Sequence, residues 1–280
     1  MLDAAFTIEC ANESHAHPVE INAEELREEC LARASIYRLL AGVFVEEPNQ
    51  AFLSAIRDQT LLGQLAAVDV RFESDFLATG TSELVETLAC EYTTLFASSG
   101  GFPPVESVRL TGRFRQEPNF KVTRIYRDAG FALGKGRFEV FADHLGVELL
   151  FVAELLERCA AALEADQHAE YRRIEKDIKR FWTQHLGLWV RGYSRLIARA
   201  SNHSFYREMA SLLGGFAAEE IAAMNLKRLD DLDMGRAVVP KSEIQIEFNP
   251  DEPVCGGCAP AIDRSASGVG SVHTLHDLRL

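Results

Sequence analysis

Positive charge is in deficit in this chain: 29 Lys+Arg stand against 42 Asp+Glu, for a formal charge of −13. Such a surface repels a phosphate backbone and weakens any association driven by counterion release, so nucleic acid is not the expected partner. Long uncharged apolar runs are missing as well. The longest apolar stretch, LGVELLFVAELL, is interrupted by Glu148 and Glu154 and falls well short of the ~20 residues a membrane span requires, so no stable membrane insertion is expected. The first twenty residues carry neither a basic n-region nor an apolar h-region, and nothing in them directs secretion. Six cysteines (Cys10, Cys30, Cys90, Cys159, Cys255 and Cys258) are scattered, four of them in or near apolar helical patterns. That usage suits a reducing compartment better than a disulfide framework, and the expected location is cytoplasmic.

Catalytic signatures are also lacking. There is no G-x-S-x-G, H-E-x-x-H or G-x-G-x-x-G. The run from Gly130 to Gly136 resembles a phosphate loop, but it is one residue short of the required spacing. It also has glycine where the Mg²⁺-binding hydroxyl belongs, and it follows a helical pattern where a strand is needed. Asp143 and His144 are the one candidate acid and proton-carrier pair; their plainer reading is a helix cap followed by a first-turn histidine. No enzyme is expected.

Apolar residues make up 47 % of the chain, ample for a packed core. Residues 1–22 are polar and aperiodic and read as an N-terminal arm. Helical periodicity then begins, with Leu26, Cys30, Tyr37, Leu40 and Phe44 on one stripe until Pro48. A short helix over 50–57 follows. The next stripe reads Leu84, Leu88, Tyr92, Leu95 and Phe96, with Ser82 as its N-cap and a Ser-Gly cluster at 98–101 as its end. From Gly100 to Pro118 the density of glycine and proline predicts a long irregular loop, the kind usually reserved for function. Further helices are predicted over 119–130, 143–164, 167–187, 188–200 and 204–217. The clearest carries Leu145, Leu149, Val152, Leu156 and Leu163, with Asp143 capping its start. No alternating strand pattern occurs before residue 240, so the fold is all-α: one helical domain over 23–224. Residues 225–280 read as an irregular tail, with a possible short strand at Ile244, Ile246 and Phe248.

Two further features invite chemistry. Between Ser107 and Arg137 lie eight basic residues and only two acidic ones, Glu117 and Asp128; this reads either as a face for an anionic partner or as a solvated face paired internally. In the tail, Cys255 and Cys258 have the spacing by which two thiolates grip one metal, with His273 and His276 downstream. The two residues between those histidines are fewer than the usual three to five. Zinc, an iron–sulfur cluster, a redox dithiol and no specific role all remain open there, and no cofactor is required.

Several segments in order resemble the TorD/DmsD/NarJ family of redox-enzyme maturation chaperones: Glu91–Phe96, Pro103–Val108, Glu117–Pro118 with Val122, Tyr126 and Gly130, Asp143–Leu149, and Phe205–Tyr206. The resemblance spans about residues 25–218. It implies an all-helical bundle of the TorD-like type that binds the twin-arginine signal peptide, the apo body, or both, of a molybdenum-cofactor oxidoreductase. The partner would be the molybdoenzyme catalytic subunit and its leader, and the chaperone a monomer or an exchanged dimer. Carried over by position, the client-binding residues are Tyr92, Leu95, Phe96, Pro104, Val105, Ser107, Asp143 and His144. Val105 departs from the pattern, since many members have tryptophan there. A leader with an arginine pair and an apolar segment needs apolar anchors beside carboxylates. Leu95, Phe96, Phe102 and Val105 are expected to supply the first, and Glu91, Glu106 and Asp143 the second. The competing reading is a metal or iron–sulfur handling protein acting through Cys255 and Cys258.

Overall fold

A computed structural model describes residues 22–97, 100–134, 140–226 and 229, together with the backbone of 273–274. Among these residues the chain is helical almost throughout. It runs α1 (Ala23–Val45), α2 (Gln50–Ile56), α3 (Gln59–Ala67), α4 (Ser74–Leu77), α5 (Thr81–Tyr92), a π turn (Thr93–Ala97), α6 (Glu106–Thr111), α7 (Glu117–Asp128), α8 (Leu145–Glu164), α9 (His168–Gln184), α10 (Leu186–Ala200) and α11 (Ser204–Ala223). The exception is a two-residue parallel pairing of β1 (Phe131–Ala132) with β2 (His273–Thr274). No described helix is long and apolar enough to cross a membrane.

The starts of the helices follow from local side-chain chemistry. Asn22, Asn49 and Asp58 each turn a side-chain oxygen onto free N–H groups of α1, α2 and α3. At the centre α8 lies along α1, buried on almost every side. Their approach is set by Gly146, where a β-carbon would stand only 2.7 Å from Cβ of Val45, closer than any side chain permits. Arg38 of α1 fastens the pair from outside through Glu154 and Glu157 of α8. On the opposite flank, the Arg33 guanidinium donates to both carboxylate oxygens of Glu220 at 2.9 and 2.8 Å, Tyr37 Oη donates to Glu220 at 2.7 Å, and Trp182 Nε1 donates to Tyr37 Oη at 2.8 Å. That chain locks α1, α9 and α11 together. A second aromatic knot of Tyr126, Phe131, Phe151 and Phe181 joins α7, β1, α8 and α9.

Three expectations need correction, and two helices were not anticipated. The stretch from Gly100 to Pro118 is not structureless: it holds α6, whose two turns end at Gly112 in the left-handed region (φ 76°). Helices α3 and α4 lie where no periodicity is legible. Ser82 is inside α5, because the chain has already turned at Gly80. Asp143 does not cap α8; His144 does, its Nδ1 accepting from Gly146 N at 3.2 Å. The possible strand at Ile244, Ile246 and Phe248 lies outside the described residues, as do the arm over 1–21 and nearly all of the tail.

Candidate functional site

The residues singled out in the loop and at the start of α8 meet at one place. After Phe102 the chain makes a γ-turn at Pro104, Val105 N donating to Pro103 O at 2.8 Å, and Val105 then lies antiparallel to the segment entering α8. Leu145 N donates to Pro104 O at 2.8 Å, and Glu106 N donates to Asp143 O at 2.9 Å, with Val105 and His144 facing each other across the bridge. The Asp143 carboxylate then serves two neighbours: Oδ2 accepts from Ser107 N at 2.8 Å and Oδ1 accepts from Asn119 Nδ2 at 2.8 Å. It therefore caps α6, satisfying one of that helix's free backbone N–H groups, and ties down the first turn of α7 through the Asn119 side chain. Ser107 Oγ in turn accepts from Gln116 N at 3.3 Å.

Beneath this knot is a buried polar cluster with members that motif reasoning does not find. His185, at the break between α9 and α10, places Nδ1 2.9 Å from Glu106 Oε2, and both side chains are almost fully buried (2 % and 1 % exposed). Glu148 of α8 lies beside them with zero exposure, and neither of its oxygens has a hydrogen-bond partner among the described residues. The same is true of Trp189 Nε1 on α10. Burial, followed by the neighbouring carboxylates of Glu106 and Asp143, raises the Glu148 carboxyl well above its usual range, against a smaller opposing effect of the Trp189 indole. Tyr126, whose hydroxyl donates to Ala142 O at 3.0 Å, is pushed above its ordinary value by burial and then by Glu148, Glu106 and Asp143.

The π turn brings the other predicted residues to the edge of the same region. Leu95 and Phe96 are buried, with Phe96 edge-on to Phe44, Tyr92 and Tyr206. Tyr92 is half-buried and donates to Phe44 O at 3.0 Å; burial pushes its hydroxyl above the ordinary value. Phe102 is half-buried, and its carbonyl accepts from Tyr193 Oη at 2.8 Å. A π turn inside a helix is frequently found at a functional position.

The structure thus gathers Pro104, Val105, Ser107, Asp143 and His144 into one knot and sets Tyr92, Leu95 and Phe96 on the π turn, but it does not display them as an open groove. Val105, Ser107, Asp143, His144, Leu95 and Phe96 are all buried. The three carboxylates expected to await arginines are already engaged. Glu91 accepts from Asn202 N and His203 N at the start of α11, Glu106 pairs with His185, and Asp143 caps α6. Of the larger apolar side chains along the seam, Tyr92, Phe102 and Pro103 remain partly exposed. His185, Glu148, Trp189 and Asn119 were not anticipated. Glu148 had a signal, an acid within an apolar run, that reads equally well as a membrane-excluding charge.

No group of His, Cys, Asp and Glu among the described residues has the arrangement of a metal site. Cys255, Cys258, His276 and the His273 side chain lie outside those residues, as do Lys135 and Arg137 of the basic stretch.

The chain matches the family described as nitrate reductase delta subunit over residues 52–193, a stretch that contains the whole buried knot and both its limbs. No curated protein matches it.

Proposed function

Because the chain belongs to the nitrate reductase delta subunit family, a family of molybdoenzyme maturation chaperones, we propose that it is a cytoplasmic chaperone for a molybdenum-cofactor oxidoreductase. In this reading it binds the twin-arginine signal peptide, the apo catalytic subunit, or both, and keeps the enzyme from export until the cofactor is in place. The family match across the knot is the observation that carries it. The burial of Asp143 and His144 (0 % and 7 % exposed) adds support, since an acid and proton carrier must reach a substrate to turn it over.

The leader's place is the seam between the π turn and the Pro103–Val105 segment. Tyr92, Phe102 and Pro103 offer it partly exposed apolar surface, while Leu95, Phe96, Pro104 and Val105 form the layer beneath. Ser107, Asp143 and His144 act from behind, by fixing the segment's path. An extended peptide laid along such a seam gains affinity from a few aromatic anchors.

Calorimetry with a synthetic twin-arginine leader tests the reading, with Tyr92→Ala and Phe102→Ala expected to weaken binding about tenfold, or 1.4 kcal/mol. A chain that ignores both the leader and the leaderless apo subunit is not this chaperone.

A further inference from the structure

The loop between α6 and α7 and the first turn of α7 each present an aromatic ring to solvent. Phe114 is 46 % exposed and Phe120 63 % exposed, among the most exposed large apolar side chains described. Phe114 stacks on Phe141 at 5.0 Å between ring centroids, and the Arg115 guanidinium stands over the Phe141 ring at 5.6 Å. These are held positions. Gly112 and Arg115 both take left-handed backbone angles (φ 76° and 54°). Gln116 Nε2 donates to Phe114 O at 2.9 Å, its backbone N–H reaches Ser107 Oγ, and Asn119, one residue before Phe120, is anchored on Asp143. The knot under the seam therefore also sets the pose of this face.

Its charge opposes that of the rest of the chain. Arg113, Arg115 and Arg124 are exposed, and Arg124 stands one helical turn after Phe120, on the same side of α7. Lys121 and Arg127 are paired with Glu117 and Asp128 of the same helix. A set of aromatic rings among guanidinium groups has the composition of an interaction hot spot, and the apolar area left in water is area a partner can bury.

We propose that Phe114 and Phe120, with Arg113, Arg115 and Arg124, form a docking face for an acidic polypeptide segment that carries apolar side chains. Charge complementarity selects this occupant. A twin-arginine leader would be repelled by the same guanidinium groups, so the segment belongs to the catalytic subunit outside its leader. Only that last identification rests on the chaperone reading. The seam leads into the first turn of α6 and Phe114 follows its last, at opposite ends of that helix, so in this reading a leader and an acidic segment are held together.

The test uses the full chain and a fluorescent peptide alternating acidic residues with leucine, compared with one alternating lysine with leucine. Two surface variants accompany it, Phe114→Ser with Phe120→Ser, and Arg113→Glu with Arg115→Glu and Arg124→Glu; circular dichroism checks that both remain folded. The acidic peptide binds, the lysine peptide does not, and each variant weakens binding about tenfold, as does raising salt to about 0.5 M. The proposal is overturned by no binding of the acidic peptide at ~1 mM or by equal binding to the variants. It is equally overturned if the same substitutions instead abolish binding of a thymidine oligonucleotide, binding of phosphatidylglycerol vesicles, or self-association of the chain. With a leaderless apo catalytic subunit as probe, the variants lose the subunit and keep the leader. If wild type binds the acidic peptide but neither leader nor subunit, the docking face stands and the chaperone reading falls.

Discussion

Asp143 accepts the backbone N–H of Ser107 at 2.8 Å across 36 residues of sequence, so the acid that precedes α8 is the cap of α6. Its other oxygen holds Asn119, and through Asn119 the start of α7. One carboxylate thereby fixes three elements that carry the seam and the exposed aromatic face. Asp143→Ala removes the cap and leaves two donors without partners, at an expected cost of about 1–2 kcal/mol. Asp143→Asn keeps one acceptor oxygen and loses less. Urea unfolding measures the difference, and hydrogen exchange should quicken in 106–111 and 116–120 while α8 stays protected. Unchanged exchange there would mean that the cap does not hold the loop.

The His185–Glu106 pair has a steeper expected cost. Both side chains are sealed from water, and removing one partner strands the other's polar atoms, which costs about 1–3 kcal/mol and more for a charged group. Glu106→Ala and His185→Ala should each destabilise by that order. The double variant should cost clearly less than the sum of the two, a coupling that a thermodynamic cycle reads directly. Additive losses would show that the two groups stabilise the fold independently.

The helices that were legible in the sequence are those long enough to repeat. In α8, Leu145, Leu149, Val152, Leu156 and Leu163 mark one stripe over many turns, and α1 is as clear. Helices α3, α4 and α6, of nine, four and six residues, complete too few turns for a period to emerge. In α6 the flanking Pro103, Pro104 and Gly112 also read as loop. The knot was visible in part because Ser107, Asp143 and His144 sit in local motifs. Its other half was not, because His185 meets Glu106 across 79 residues and no local pattern carries such a pairing. Exposure was misjudged for a related reason: a carboxylate's availability depends on which backbone N–H groups the fold brings to it. Glu91 illustrates this, spent on the start of α11 across 111 residues.

The tail reading is checked by chemistry that does not involve the knot. If client binding resides in the helical body, Cys255→Ser with Cys258→Ser leaves leader affinity unchanged. Metal analysis of protein purified without oxygen supplies the comparison. Stoichiometric zinc or iron that the double variant loses, together with lost client binding, would move the function to the tail, since two thiolates at that spacing are what such an ion needs.

Glu148 gives the fold a pH dependence of definite sign. Its carboxyl is held well above its ordinary value, 4.5, by burial and then by Glu106 and Asp143, so the native state keeps a proton that the unfolded chain releases. As pH rises past about 4.5 the unfolded state binds fewer protons than the native state, and stability falls until the native carboxyl itself ionises. Glu148→Gln retains the shape and the neutral polar group but removes the titration. The variant should match wild type near pH 4 and exceed it increasingly at higher pH, by up to about 1.4 kcal/mol per pH unit across that window. Thermal unfolding followed from pH 4 to pH 8 reads the divergence. Parallel curves for the two proteins would mean that Glu148 is already ionised in the folded state, with a partner the buried cluster does not show.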